Sequence, residues 1–229
     1  MSGGLPLVVT RPEPGNSATI GRAAALGLDA RAMPLFAAHP IDWALPAPTN
    51  YDALLLTSAQ AVRLAGVQLA ELAALPVHAV GEATANAARA AGLTVVQTGT
   101  ADGQALLDAM ASEKIGRILW LCGRERSEFD PRGALLDPRA CYGVEPAEPP
   151  GDWAEVIAAP AVLLAHSARA ARRIGDLVGA SRGHLALVAI SPAVAAAAGA
   201  GWAEQVAAAA PTDAAMLALA HALCHKGGK

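Results

Sequence analysis

Short runs of consecutive apolar residues alternate along the chain with longer Ala- and Leu-rich segments of helical character. The runs are Leu5–Val9, Ala53–Leu56, Val77–Val80, Leu93–Val96, Arg117–Leu121, Ala161–Ala165 and Leu185–Ile190, each ending in small or polar residues. Runs of this length predict strands rather than helices. Their apolar character is continuous rather than alternating, so both faces of each strand are expected under helices. Strand and helix in regular alternation predict βα units around mostly parallel sheets, an α/β protein.

Two stretches resemble each other. ALLLTSAQAVRLAG followed by VHAVGEATANAARAAGLTVV matches AVLLAHSARAARRIG followed by LVAISPAVAAAAGAGWAEQV. Ser58 to Gly81 spans 23 positions and Ser167 to Ser191 spans 24, and both stretches close on a helix-start signal, Thr100-Ala101-Asp102 or Thr212-Asp213. The chain therefore reads as an internal duplication.

A third pair, LPLVVTRPEPGNSATIGRAAAL and RILWLCGRERSEFDPRGALL, predicts in each copy an apolar strand, a polar Arg-containing loop and a helix. One copy opens the chain while the other follows its Ser and Gly units. If each domain needs one copy of every unit, the first domain is discontinuous, with residues 1–36 and 147–229, and the second is 41–138. The crossings fall at about 37–40 and 139–146, short β-compatible segments with Pro nearby. The expected architecture is two similar parallel-sheet α/β domains joined by a two-stranded linker, a hinge with a cleft.

Composition narrows the function. A net charge of −3 offers no general attraction to nucleic acid or anionic lipid, so any basic site is local. With 54% hydrophobic and 16% charged residues the chain can bury a sizeable core. Cys122, Cys141 and Cys224 show no metal or disulfide spacing and suit a reducing cytoplasm. The N-terminus lacks the form of a signal peptide, and no stretch reads as membrane-spanning. His221, Cys224 and His225 share a helical face at a possible metal spacing, but read better as a polar tail helix. His166 precedes Ser167 without a hydrolase triad or a GxSxG elbow, and no phosphate-binding Gly loop is present.

Ser58, Thr84, Ser167 and Ser191 stand at strand-to-helix turns. Each reads either as an ordinary N-cap or as part of an anion site that uses free helix N–H groups, and the two roles are compatible. Arg11, stiffened by Pro12, either reaches a ligand carboxylate or forms a structural salt bridge. Arg63, Arg169, Arg172 and Arg173 follow the Ser turns on helices, and most of them read as solvated faces.

Thr10-Arg11-Pro12, Tyr51-Asp52 with Leu56-Thr57-Ser58, Val80-Gly81-Glu82-Ala83-Thr84-Ala85, Cys141-Tyr142, His166-Ser167 and Ala189-Ile190-Ser191-Pro192 follow one another in an order and spacing that resemble the uroporphyrinogen-III synthase family over nearly the whole chain. The resemblance implies two α/β domains joined by a two-stranded ladder. It also implies a lyase that needs no metal or cofactor and works as a cytoplasmic monomer on a linear tetrapyrrole. By the same resemblance Tyr142 is the catalytic residue, and Thr10, Arg11, Ser58, Gly81, Thr84, Ser167 and Ser191 bind substrate. The chain departs from the family at Ala193 and Val194, where hydroxyl residues are usual, and in the loop Cys122-Gly123-Arg124-Glu125-Arg126, which keeps the family's Gly and Arg but lacks the usual Arg-Glu-Leu-Leu continuation.

The implied reaction cyclises hydroxymethylbilane to uroporphyrinogen III, with loss of water and inversion of ring D through a spiro intermediate. Substrate folding carries most of this chemistry, because the pyrrole nitrogen drives ionisation. A hydrogen bond from Tyr142 to the leaving hydroxyl is the protein's direct contribution, the alternative being a tyrosine that packs the hinge. Two other function classes remain at this level: a two-domain binding protein for an anionic small molecule, and an inactive scaffold homologue.

Overall fold

The computed structural model of the chain describes residues 4–226. In chain order its elements are β1 (Leu7–Val9), α1 (Gly15–Ala25), β2 (Ala30–Ala32), β3 (Phe36–Pro40), β4 (Ala53–Leu56), α2 (Ala59–Leu64), β5 (Val77–Val80), α3 (Glu82–Ala90), β6 (Val95–Gly99), α4 (Gly103–Ser112) and β7 (Arg117–Gly123). There follow β8 (Leu135–Pro146), α5 (Trp153–Ile157), β9 (Val162–Ala165), α6 (Ala168–Val178), β10 (Ala186–Ala189), α7 (Pro192–Ala197), β11 (Glu204–Ala207) and α8 (Asp213–Lys226).

The chain divides into two compact units, one of Met1–Ala37 with Pro146–Lys229, the other of Ala38–Glu145. The first holds a parallel sheet ordered β11-β10-β9-β1-β2. A second sheet is ordered β3-β8-β7-β4-β5-β6, parallel from β8 to β6. At its edge Ala147 N–H donates to Leu35 O at 3.0 Å and Ile41 N–H to Cys141 O at 3.1 Å, so β3 and β8 run antiparallel. The orders β2-β1-β9-β10-β11 and β8-β7-β4-β5-β6 match strand for strand, the equivalence that the sequence repeats demand.

Continuous apolarity in the strands reflects burial on both faces. In β4, Leu54 and Leu56 join a core with Ala61 and Val62 of α2 and Ala85 and Ala88 of α3. The intervening Ala53 and Leu55 pack on the other face with Leu106, Leu107 and Met110 of α4. In the first unit, Leu7, Val9, Val162 and Leu164 pack against Met216, Leu217 and Ala220 of α8. No helix among the described residues is long and apolar enough to cross a membrane.

One expected element does not form. The sequence pattern predicts a helix after the second Arg-containing loop, but residues 124–134 are non-helical and the chain re-enters the sheet at Leu135. Pro131 disfavours a helix at Asp130, and Arg132 and Gly133 take left-handed φ values of 53° and 86°, which end any helical path. Phe129 provides cover where a helix would have: its ring lies 5.0 Å from that of Trp120 and fills the space over Gly103, where a Cβ would stand 2.4 Å from the ring. Strand β6 also begins later than expected, at Val95, because Leu93 N–H bonds back to Ala88 O and closes α3.

Candidate functional site

In the second unit β4 and β7 lie side by side, and the chain leaves them toward opposite edges of the sheet. Such a reversal opens a crevice at the carboxyl ends of the two strands. A cavity of about 500 Å³ lies there, lined by Thr57, Ser58, Asp102, Trp120, Glu125 and Tyr142 among others, all of this unit.

Tyr142 reaches the cavity because the β7–β8 register slips. Cys122 stands opposite Ala140 but Gly123 opposite Tyr142, which makes Cys141 the extra residue of a bulge. The Cys141 thiol is fully buried, 3.6 Å from the carbonyls of Ala61 and Cys122. The Tyr142 ring then lies against Gly123, where a Cβ would stand 2.9 Å from Cζ. Burial pushes the Tyr142 pKa above its ordinary 10, partly opposed by a hydrogen bond with Ser58, so at neutral pH the group is a phenol able to donate.

Around it, Trp120 Nε1–H donates to Thr57 Oγ1 at 3.0 Å, and Asp102 Oδ1 accepts the Ala105 N–H at 2.9 Å to cap α4. Burial raises the Cys122 thiol to about 11, against the pull of Arg126, and Cys141 to about 12. Both stay protonated, so neither is a nucleophile at neutral pH.

Ser58, Ser167 and Ser191 each cap a helix: Ser58 Oγ accepts from Gln60 N at 3.2 Å, Ser167 Oγ from Ala170 N at 3.1 Å, and Ser191 Oγ from Val194 N at 3.4 Å. The departure at Val194 leaves that cap intact, since only its backbone N–H is used. Gly81 precedes α3 at φ 76°, ψ 150°, a conformation open to glycine alone.

Two of the expected contact residues are buried. Thr10 has no exposed surface and its hydroxyl donates to Leu164 O at 2.9 Å, a latch between β1 and β9. Thr84 is 5% exposed, on the same buried face of α3 as Ala85 and Ala88.

Arg11, in the first unit, forms an ion pair: Nη1 lies 3.7 Å from Asp213 Oδ1 and 3.4 Å from Thr19 Oγ1. Asp213, at the start of α8, also accepts from Thr19 at 2.9 Å, His166 Nε2 at 3.0 Å and Arg22 at 2.6 Å. Burial works to raise the Asp213 pKa, but the bonds from His166, Thr19 and Arg22 win and lower it. Burial lowers that of His166, which is therefore a neutral donor to Asp213, with a buried Nδ1 that finds no hydrogen-bond partner among the described residues. Sequence reasoning missed this cluster and the Gly123 seat. Arg11, His166 and Asp213 come from three remote segments, and no local spacing marks them.

The family model described as Uroporphyrinogen-III synthase HemD matches residues 17–218. The structure is similar to that of uroporphyrinogen-III synthetase from Helicobacter pylori, at 17% identity over 96% of this chain and 99% of that one with a TM-score of 0.64, which shows a shared fold. A mutant uroporphyrinogen III synthase from the extremely thermophilic bacterium Thermus thermophilus is 18% identical over 93% of this chain and 96% of that one, with a TM-score of 0.44. Comparison with curated proteins gives no match. With the family model spanning most of both units, from α1 into α8, the protein belongs to the uroporphyrinogen-III synthase family.

Proposed function

We propose that the family's reaction, cyclisation of hydroxymethylbilane to uroporphyrinogen III, is carried out here with Tyr142 as the group that assists loss of water. The observation that carries this reading is the Tyr142 phenol, kept protonated and seated over Gly123 in the cavity at the carboxyl ends of β4 and β7. The pyrrole nitrogen pushes electrons into the exocyclic carbon, the C–O bond breaks, and the hydrogen bond from Tyr142 eases departure of the oxygen as water. The proton taken up in that step is returned when ring D regains aromaticity after spiro attack, fragmentation and reclosure. One water is lost overall. No protein nucleophile is required, in keeping with the protonated thiols of Cys122 and Cys141.

The substrate carries eight carboxylates, and a chain of net charge −3 must meet them locally. We propose that the capped helix starts at Ser58, Ser167 and Ser191 and the backbone at Gly81 take some of them through N–H groups left free in the first turns. The strands β3 and β8 carry the chain between the units. Thr10 and Thr84 lie buried behind these turns, and Arg11 lies beside Asp213. Fresh hydroxymethylbilane, with the uroporphyrinogen isomers resolved chromatographically, tests the function. Isomer III well above the uncatalysed background is expected, and isomer I alone would leave a binding or scaffold homologue.

A further inference from the structure

The loop of residues 124–134, non-helical in this chain, brings Arg126 and Phe129 to the cavity that holds Tyr142. Arg126 is the only Lys or Arg among the lining residues. Among the described residues it has no carboxylate within salt-bridge distance, and its hydrogen bond to Arg124 O is long, at 3.4 Å. Its neighbour Arg124, by contrast, is held by Glu145 at 3.0 Å. Phe129 and Trp120 form a tilted aromatic pair on the cavity wall, fastened by the Trp120 bond to Thr57. The cavity of about 500 Å³ thus offers a cation, an aromatic wall and a phenol donor within one unit.

We propose that this cavity is the subsite for ring A of the bilane, the ring that bears the hydroxymethyl group, and that Arg126 binds a ring A carboxylate while Phe129, backed by the buried Trp120, flanks the pyrrole. The assignment rests on the synthase reading, because it is the leaving hydroxyl that must meet Tyr142. Arg126 fits a carboxylate by bidentate hydrogen bonding and anchors the ring beside the phenol. Asp102 and Glu125, on the same lining, carry the opposite charge and favour the azafulvene cation that forms when the hydroxyl leaves. Arg126 would then set which end of the bilane enters, a choice that helix N-termini shared by all eight carboxylates cannot make.

The test compares wild type, Arg126→Gln and Arg126→Lys on hydroxymethylbilane and on a synthetic bilane whose ring A carries methyl and ethyl groups in place of its two carboxylate side chains. Arg126→Gln should raise KM for the natural bilane about tenfold, the scale of one charge-assisted hydrogen bond, with kcat little changed. The same substitution should leave KM for the ring A analogue unchanged, and Arg126→Lys should recover part of the loss. An unchanged KM for the natural bilane, or an equal rise for both bilanes, would overturn the subsite. Isomer III made by wild type separates the two claims: its absence sinks the synthase reading, while its presence beside an indifferent Arg126→Gln sinks only the ring A assignment.

Discussion

Tyr142 rests on Gly123 so closely that a methyl group at position 123 would stand 2.9 Å from Cζ and 3.1 Å from the phenol oxygen. Gly123 does not have a positive φ, so its backbone would accept alanine. What glycine supplies is the space into which the β7–β8 bulge turns the ring.

Gly123→Ala should therefore displace the phenol and lower kcat about tenfold while the protein stays folded, the same size of loss as removing the hydroxyl itself. If position 123 acts only through Tyr142, the double variant Gly123→Ala/Tyr142→Phe should be no slower than Tyr142→Phe alone. Additive losses would mean that Gly123 contributes in some other way.

Tyr142→Phe removes one oxygen and should unfold nothing. A full general acid contributes ~10²- to 10⁴-fold, but the pyrrole nitrogen drives ionisation, so a loss of about tenfold in turnover is expected. Isomer III should remain the main enzymatic product, because inversion depends on how the substrate is folded. Full activity in this variant would return Tyr142 to packing its strand.

Stability should fall on mild acidification. Native His166 has its pKa lowered from 6.5 by burial, so the unfolded chain binds protons first and the stability contributed by the neutral ring is lost as pH falls below about 6.5. Asp213, lowered from 3.8 by its hydrogen bonds, adds a second loss below that value. Thermal melts from about pH 7.5 down to 5 should show a falling Tm for wild type and a flatter dependence for His166→Gln. Parallel curves would show that His166 titrates alike in both states.

A fragment of residues 38–145 should give a dispersed NMR spectrum, since it keeps β4 to β7 together with the Cys141 side of β8. The shorter fragment 41–138, which the repeat comparison favours, cuts β8 after Pro138 and removes Cys141, a fully buried member of the core around α2 and α3. It should melt lower than 38–145. Equal stability of the two would show that the outer half of β8 contributes nothing to this core.

How far the chain declares itself is set by the range of the interactions. The continuous apolar runs, the Ser caps and the repeated spacing are local, and each states its element directly: Ser58, Ser167 and Ser191 cap α2, α6 and α7 because an N-cap needs only a hydroxyl two or three residues before a free N–H. Matching apolar strands likewise contain the matching sheet orders, since a strand buried on both faces has few places to lie. The loop after β7 reads as the start of a helix because its sequence parallels the approach to α1, and only Pro131 with the left-handed Arg132–Gly133 turn diverts it. Thr10 looks like a ligand group by motif, and its burial depends on β9, which comes more than 150 residues later and offers the Leu164 carbonyl. Which groups gather at a site was decided by tertiary structure. The cavity that Arg126 enters and the Asp213 cluster arise where elements distant in sequence become neighbours, and the bulge that aims Tyr142 depends on the register in which β8 pairs with β7; no local periodicity encodes either.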